Sequence, residues 1–346
     1  MIIAIDIRFE IENYRNFIFQ TFGRIFKKNP QHSFLFICND TYNSSIIFSD
    51  NVIHVVVKSA KVPLLSQVLK DKKVAAVLKK YKAEVFITPT FISVTNVPQC
   101  LIYNKNVSAN TLNKVKAIVT PSVFSKNNII EKYKINPDKM DVVHPACDED
   151  FKPVDFIERE KIKEDYAGGN EYFFYKEENT SLDNLLNLLK AFSLFKKRQK
   201  SNMHLLIASQ YQINPSFLNQ LNLYKFKNAV KIFNSISKSE LIKITAGSYA
   251  AIYFNSNNFY FSAPEGFQCD VPVITNDTEV CREICDDAAL YVNSAENRDI
   301  GEKMMLIFKD EKLRSAFIDK GKQQAKKYIW DTAAEQLLQS IEKAVQ

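Results

Sequence analysis

The stretch AIVTPSVFSKNNIIEKYKINPDKMDVV, residues 117–143, contains the repeating unit that decides the fold. Its two ends, 117–120 and 141–143, are short apolar runs, as in strands that are buried on both faces of a sheet. Between them, Ile129, Ile130 and Tyr133 recur with the 3.6-residue period of a helix. The stretch therefore predicts a strand, a helix and a second strand, which is the unit from which parallel sheets are built.

The same alternation extends in both directions along the chain. Further strands are predicted at 2–5, 34–38, 52–57, 85–88, 100–103, 172–175, 204–208, 229–233, 250–254, 273–275 and 289–292. Helices are predicted at 13–29, 66–82, 122–134, 182–199, 238–246, 296–309, 311–327 and 331–345. Pro145, Pro153 and the pair Gly168-Gly169 interrupt the pattern and predict a linker over about 145–170. The fold class is therefore α/β, with two Rossmann-like, doubly wound parallel-sheet domains facing a ligand cleft.

Size and composition agree with two soluble domains. The 346 residues are 46% hydrophobic and 25% charged, as in ordinary globular proteins. No apolar run reaches the roughly 18 residues that cross a bilayer, and residues 2–5 are interpreted as a first strand rather than a signal peptide. The six cysteines lack metal-ligand spacing, so reduced thiols are expected. Together these features predict a cytoplasmic protein without a metal site.

The positive charge is concentrated in the first half of the chain. The whole formal charge of +7 lies within residues 1–150. Much of it comes from lysines of the predicted helix 66–82, namely Lys70, Lys72, Lys73, Lys79, Lys80 and Lys82. Two interpretations stand: a solvated helix face, or a patch for an anionic membrane surface or an acidic acceptor. A nucleic-acid partner is not expected, because aromatic interleaving and a known binding motif are both missing.

Common catalytic and cofactor motifs are missing from the sequence. It contains no GxGxxG and no P-loop, and its seven glycines argue against a glycine-cradled dinucleotide site. No Ser/His/Asp or Cys/His set stands out. Three of the four histidines, His32, His54 and His204, fall in or beside predicted strands and are interpreted as structural. Fold pattern alone thus leaves dehydrogenases, sugar epimerases and glycosyltransferases open.

Three separated blocks narrow this choice. They are residues 117–153, residues 185–197, and residues 264–292 with Pro264-Glu265, Pro272-Val273-Ile274-Thr275 and Glu283-Ile284. In order and spacing they resemble the retaining glycosyltransferases of family four (group 1), which have the GT-B fold. The resemblance implies a nucleotide-sugar donor bound by a C-terminal domain, residues 151–330. It also implies a glycan or lipid-linked acceptor bound by an N-terminal domain, residues 1–150, onto which the last helix, 331–346, packs back.

The resemblance also implies a set of site residues. The second glutamate of the family's paired motif falls on Glu265, which would bond the donor ribose, and the first falls on Asn257. The family's catalytic-loop histidine falls on Asn104. Backbone around Ser262, Ala263 and Pro264 would meet the phosphates, and Ser235 with Ile236 would flank the base. No cofactor or metal is needed, because basic side chains and helix N-termini neutralise the diphosphate.

The sequence departs from the family where the diphosphate is bound. The family binds the diphosphate with an Arg and a Lys, and in this sequence those two positions carry Glu178 and Asp183. Lys176 is the nearest basic group that could compensate for the two missing cations. Two such charge reversals predict a diphosphate affinity lower by roughly three powers of ten. The leading hypothesis is a glycosyltransferase of reduced activity in cell-surface polysaccharide biosynthesis. The alternatives are a non-catalytic relative that binds a glycan or a partner protein, and a sugar-nucleotide epimerase on the same fold.

Overall fold

The computed structural model describes residues 1–9, 12–39, 49–57, 66–103, 107–178, 181–209, 212–254 and 261–346. The chain divides into two compact units: residues 1–145 with 329–346, and residues 146–328. Each unit is built on one parallel sheet, so the predicted α/β class with two doubly wound parallel sheets is confirmed.

The first unit contains a sheet of seven strands among the residues described. The strands are β1 Ile2–Asp6, β2 Ser33–Cys38, β3 Val52–Val56, β4 Val85–Thr88, β5 Gln99–Ile102, β6 Ala117–Thr120 and β7 Met140–Val142. The helices that precede residue 145 are α1 Glu12–Lys28, α2 Ser66–Lys80, α3 Ala109–Lys114 and α4 Val123–Tyr133. The strand order is β3-β2-β1-β4-β5-β6-β7, so the direction of winding reverses between β1 and β4.

The second unit contains a sheet of six strands in the described part of the chain. The strands are β8 Tyr172–Glu177, β9 His204–Ser209, β10 Val230–Asn234, β11 Ala250–Tyr253, β12 Val273–Asn276 and β13 Ala289–Val292. Its helices are α5 Phe156–Ala167, α6 Leu182–Gln199, α7 Pro215–Asn222, α8 Lys238–Gly247, α9 Ala263–Gln268, α10 Glu279–Cys285, α11 Asn297–Lys309 and α12 Glu311–Ala325. The order β10-β9-β8-β11-β12-β13 places the reversal between β8 and β11.

The last helix, α13 Trp330–Val345, belongs to the first unit. The indole ring of Trp330 packs against the ring of Phe17 on α1, with centroids 6.3 Å apart. Lys28, also on α1, forms ion pairs with Asp331 at 2.8 Å and with Glu335 at 3.1 Å on α13. The first unit is therefore made from two separate segments of the chain.

Side-chain caps fix several helix boundaries. The Ser122 hydroxyl accepts from the backbone of Ser125 at 3.0 Å, and Ser237 with Glu240 forms a complete capping box before α8. The predicted linker over 145–170 is wrong, because α5 lies inside it. Asp155 caps the start of α5, and Gly168, at a φ of +61°, ends it. The turn residues thus mark the two ends of a helix rather than one continuous loop.

None of the helices in the described part of the chain is long and apolar enough to cross a membrane. All six cysteines are buried and free.

The contact between α5 and α8 can be tested by adding one methyl group. A Cβ atom at Gly247 would lie 2.6 Å from the Tyr172 hydroxyl oxygen and closer still to Ile162 Cγ2. Gly247→Ala should therefore lower the free energy of unfolding by about 1–3 kcal/mol, measured by urea denaturation.

The matched control is Gly23→Ala on α1, where no described atom lies within 4 Å of the added Cβ. Alanine is the better helix former, so this variant should be neutral or more stable by about 0.5–1 kcal/mol. Equal stability of the two variants would contradict the packing described for α8.

Candidate functional site

The centre of the second sheet is where a ligand site is expected. Strand β8 pairs with β11 there, and the chain winds away from this pair in opposite directions. In doubly wound sheets, ligands bind beyond the carboxyl ends of the strands at such a reversal. Lys176 and Glu178 lie at the carboxyl end of β8, and Ser262 and Glu265 lie in the segment that follows β11. Four of the predicted site residues therefore meet at the expected position.

Lys176 is the centre of this group. Its ammonium nitrogen lies 2.5 Å from Glu265 Oε1 and 3.0 Å from Glu178 Oε1. The same nitrogen lies 3.4 Å from the Ser262 hydroxyl, which in turn donates a hydrogen bond to Glu178. Glu265 is fully buried, and the side chains of Lys176 and Glu178 are 7% and 13% exposed. We call Lys176, Glu178, Ser262 and Glu265 the β8–α9 cluster.

Helix α9 holds Glu265 in place. Pro264 sits in its first turn, where the missing N–H costs no helical hydrogen bond, and the Glu265 amide donates to Ser262 O at 2.9 Å. Ser262 makes no side-chain cap, because its hydroxyl is directed to Glu178 and Lys176. Glu265 thus lies at the N-terminal end of a helix and points to a buried lysine.

The electrostatics of the β8–α9 cluster keep Lys176 charged. Burial alone would lower the pKa of its ammonium, but the charges and hydrogen bonds of Glu265 and Glu178 outweigh this effect and raise the pKa above its usual value. One cation thus faces two carboxylates, which leaves the cluster with one net negative charge. From the sequence, Lys176 is the nearest basic group that could compensate at the diphosphate, but in the structure it already has two anionic partners within the protein.

Glu177 and Tyr253 are polar residues of this region that sequence reasoning missed. Glu177 ends β8, is 2% exposed, and accepts a hydrogen bond from the Tyr175 hydroxyl at 3.0 Å. Tyr253 ends β11 and is 1% exposed; burial and the charge of Glu265 raise its pKa. Its hydroxyl has no hydrogen-bond partner among the described residues. A polar group at the last position of a buried strand was the available signal for both.

The remaining predicted site residues are more scattered. Asp183 is exposed in the first turn of α6, where a carboxylate favours the positive end of the helix. Ser235 follows the edge strand β10 with a φ of +52°, and the buried Ile236 donates its amide to Ser209 O at 3.3 Å. Ala263 and Pro264 are buried in α9. Asn104 and Asn257 lie outside the described residues.

The exposed position of Asp183 separates it from Glu178. The sequence assigns the two carboxylates equivalent roles at a diphosphate, but only Glu178 joins the β8–α9 cluster. The charge of Asp183 would therefore reach a ligand in the cluster only through its longer-range field, which water and salt screen.

Comparison with known proteins relates the region that contains the β8–α9 cluster to a family. Residues 156–324 match the family described as glycosyl transferases group 1. The resemblance of this region to the group 1 glycosyltransferases is therefore confirmed. The group 1 region includes all of the β8–α9 cluster.

A curated relative agrees with this match. The O-antigen chain mannosyltransferase B of Escherichia coli is 22% identical over 234 residues, which cover 66% of this chain and 61% of that protein. The chain thus spans about three fifths of the length of this curated relative.

Solved structures show which fold the chain has. A glycosyltransferase from Rickettsia africae superposes with a TM-score of 0.81 at 17% identity, covering 100% of this chain and 98% of that one. HepE of Anabaena, in complex with UDP, gives 0.76 at 12% identity and covers 99% of each chain. At these identities the likeness establishes the fold, and the GT-B fold expected from the sequence is confirmed.

Removing the ammonium of Lys176 tests the importance of the buried ion pair. Lys176→Met should lower the free energy of unfolding by about 3–5 kcal/mol, because Glu265 remains buried after losing the cation 2.5 Å away. Urea denaturation followed by circular dichroism measures the change.

The double variant Lys176→Met with Glu265→Gln is the control. It removes both charges of the shortest contact, so most of the lost stability should return. A single variant within about 0.5 kcal/mol of the wild type would mean that water or another group compensates the buried carboxylate.

Proposed function

We propose that this protein transfers a hexosyl group from a nucleotide sugar to a glycan or lipid-linked acceptor, with retention of the anomeric configuration, in cell-surface polysaccharide biosynthesis. The family of residues 156–324 supports a glycosyltransferase. The Escherichia coli relative is a mannosyltransferase of O-antigen chains, and the structurally similar HepE was crystallised with UDP. In the proposed reaction, the bond from the anomeric carbon to the diphosphate breaks. A bond to an acceptor hydroxyl forms on the same face, and the hydroxyl proton leaves with the diphosphate.

The observation that carries the proposal is the position of the Lys176–Glu265 pair. It lies at the reversal of the second sheet, inside the region that the family covers. A buried carboxylate held by a lysine presents a fixed acceptor for donor hydroxyls, and it is pre-organised because both partners are packed. We assign Glu265 to orienting the donor ribose and Lys176 to the diphosphate. Ser262 and Ala263 would meet the phosphates with backbone amides, and Ile236 would flank the base.

The same cluster explains why we propose reduced donor affinity. Glu178 already forms an ion pair with Lys176, and Asp183 adds a second negative charge after the same strand. A diphosphate entering this region meets more carboxylates than ammonium groups, and no metal ion is part of the proposed reaction. These charges also favour the alternative function, a non-catalytic relative that binds a glycan or a partner protein.

Donor binding distinguishes the two functions. Calorimetry against UDP, GDP, ADP and their sugars should reveal one preferred nucleotide. We expect a dissociation constant on the order of 0.1–1 mM, because the carboxylates oppose the diphosphate. Glu265→Gln should weaken this binding by about tenfold or more, since a bond to a charged acceptor is lost. Lys176 keeps Glu178 as a partner in this variant, so the cluster is not left as an isolated cation.

Glu302→Gln, an exposed carboxylate change on α11, is the matched control and should bind like the wild type. If the wild type bound none of these nucleotides or nucleotide sugars, the result would favour the non-catalytic function.

We also propose that the first unit binds an anionic membrane surface through α2. Lys72, Lys73, Lys79 and Lys80 are exposed, and their spacing of one, seven and eight residues places them along one side of the helix. The exposed Leu69 lies on the same side and is 41% accessible. Each lysine near an anionic leaflet contributes about 1 kcal/mol, so this face would bring a soluble transferase to a lipid-linked acceptor.

Vesicle co-sedimentation tests this proposal. Binding to phosphatidylserine-containing vesicles should exceed binding to neutral vesicles and should weaken as salt rises. Replacing the four lysines with Gln should lower the partition coefficient by about tenfold or more.

The control variant carries the same change of charge in the second unit. It replaces four exposed lysines with Gln: Lys161, Lys309, Lys312 and Lys326. Equal losses in the two variants would show that net charge alone drives binding, and that α2 is a solvated face.

A further inference from the structure

Among the described residues, two carboxylates contact Lys176, and they are held very differently. Glu265 is fully buried on a helix and lies 2.5 Å from the ammonium. Glu178 follows the last residue of β8, lies 3.0 Å away, and keeps 13% of its side chain exposed. Rotation of the Glu178 side chain can therefore take its carboxylate toward water, whereas Glu265 can leave only if α9 moves.

One oxygen of Glu178 accepts from two donors. Its Oε1 takes a hydrogen bond from the Ser262 hydroxyl and an ion pair from the Lys176 ammonium. Both donors are buried, with Lys176 7% and Ser262 3% exposed. An ammonium and a hydroxyl that converge on a single anionic oxygen form the same arrangement that binds a phosphate oxygen. Within the protein, Glu178 takes the place of such a ligand.

We propose that Glu178 is an autoinhibitory carboxylate, which fills the anion position formed by Lys176 and Ser262 and must leave before a phosphate group can bind there. The inference rests on the proposed function in one respect, because the natural occupant would be the diphosphate of a nucleotide sugar. The shared chemistry is a phosphate oxygen, and inorganic pyrophosphate is a sufficient probe.

The charge balance gives the reason for the inhibition. With Glu178 in place, Lys176 already serves two carboxylates, and an incoming phosphate gains no unpaired cation. When Glu178 turns away, the charges of Lys176 and Glu265 cancel. The N–H donor of Lys176 that faced Glu178 and the Ser262 hydroxyl can then both donate to a phosphate oxygen. Phosphate binding is thus an exchange of one anion for another, so the apparent affinity equals the intrinsic affinity multiplied by the fraction of molecules in which Glu178 has turned away.

Neutralising Glu178 should release the site without changing its shape. We expect Glu178→Gln to bind inorganic pyrophosphate about tenfold or more tightly than the wild type in calorimetry at low salt. Glu178→Ala should show the same direction of change, and it also removes the competing hydrogen bond to Ser262. Urea denaturation and circular dichroism confirm that each variant is folded before binding is compared.

Asp183→Asn is the matched control, because it removes one negative charge from an exposed position that follows the same strand. General electrostatic repulsion predicts equal gains for the changes at 178 and 183, and equal gains would overturn the inference. The proposal requires the gain at 178 to be larger and to persist at higher salt, since a buried contact is screened less than an exposed one. Absence of pyrophosphate binding in both Glu178 variants would also overturn it.

A parallel titration with UDP, GDP and ADP separates this inference from the proposed function. A gain for pyrophosphate with no preferred nucleotide would support the autoinhibitory carboxylate and contradict the donor function. A wild type that already prefers one nucleotide, with no gain in either Glu178 variant, would support the donor function and contradict autoinhibition.

Discussion

The pairing of β8 with β11 is the constraint on which the described site depends. Its register aligns Phe173 with Ala250 and Tyr175 with Ile252, so the two strands end side by side. Residues after β8 and residues after β11 are thereby brought together, although Lys176 and Glu265 are 89 positions apart in sequence. Because both strands are central and buried on both faces, this end of the sheet is fixed by the hydrophobic core beneath it. The strand order of the sheet therefore brings the residues of the β8–α9 cluster together, and their mutual electrostatic attraction is a secondary cause.

Stability alone is a poor explanation for burying Lys176. Removing an ammonium and carboxylates from water costs several kcal/mol per ion, and apolar side chains of similar volume are often as stable or more stable. What an ion pair offers in addition is a polar group at a defined position. At the reversal of a doubly wound sheet, such a group lies where ligands bind, which is why we interpret the cluster as functional.

The sequence was most informative where hydrophobic patterning is strongest. Each predicted strand agrees with an observed one to within two residues at either end, because a parallel strand is a short apolar run with sharp ends. Short helices such as α7 and α10 have too few turns to show a period, and they were not predicted. Helix α5 was missed because its capping residues resemble those of a loop.

The sequence named the four members of the β8–α9 cluster but not how they pair with one another. The family resemblance directed attention to Glu265, Glu178 and Lys176 as separate residues. Which carboxylate reaches the lysine depends on distances between segments that no local pattern contains. Glu178 and Asp183 looked alike in sequence, yet one is a partner of a buried ammonium and the other is an exposed residue at the start of a helix.

The two-segment construction of the first unit has a consequence for how the chain is made. Helix α13 supplies Trp330, Leu337 and Ile341 to the core of that unit, and each is 2% exposed or less. During synthesis, the seven strands of the first sheet leave the ribosome long before this helix does. The second unit is complete as soon as residue 328 has emerged, whereas the first must wait for the residues that follow. In the order of translation, the unit that begins the chain is therefore the last one to finish folding.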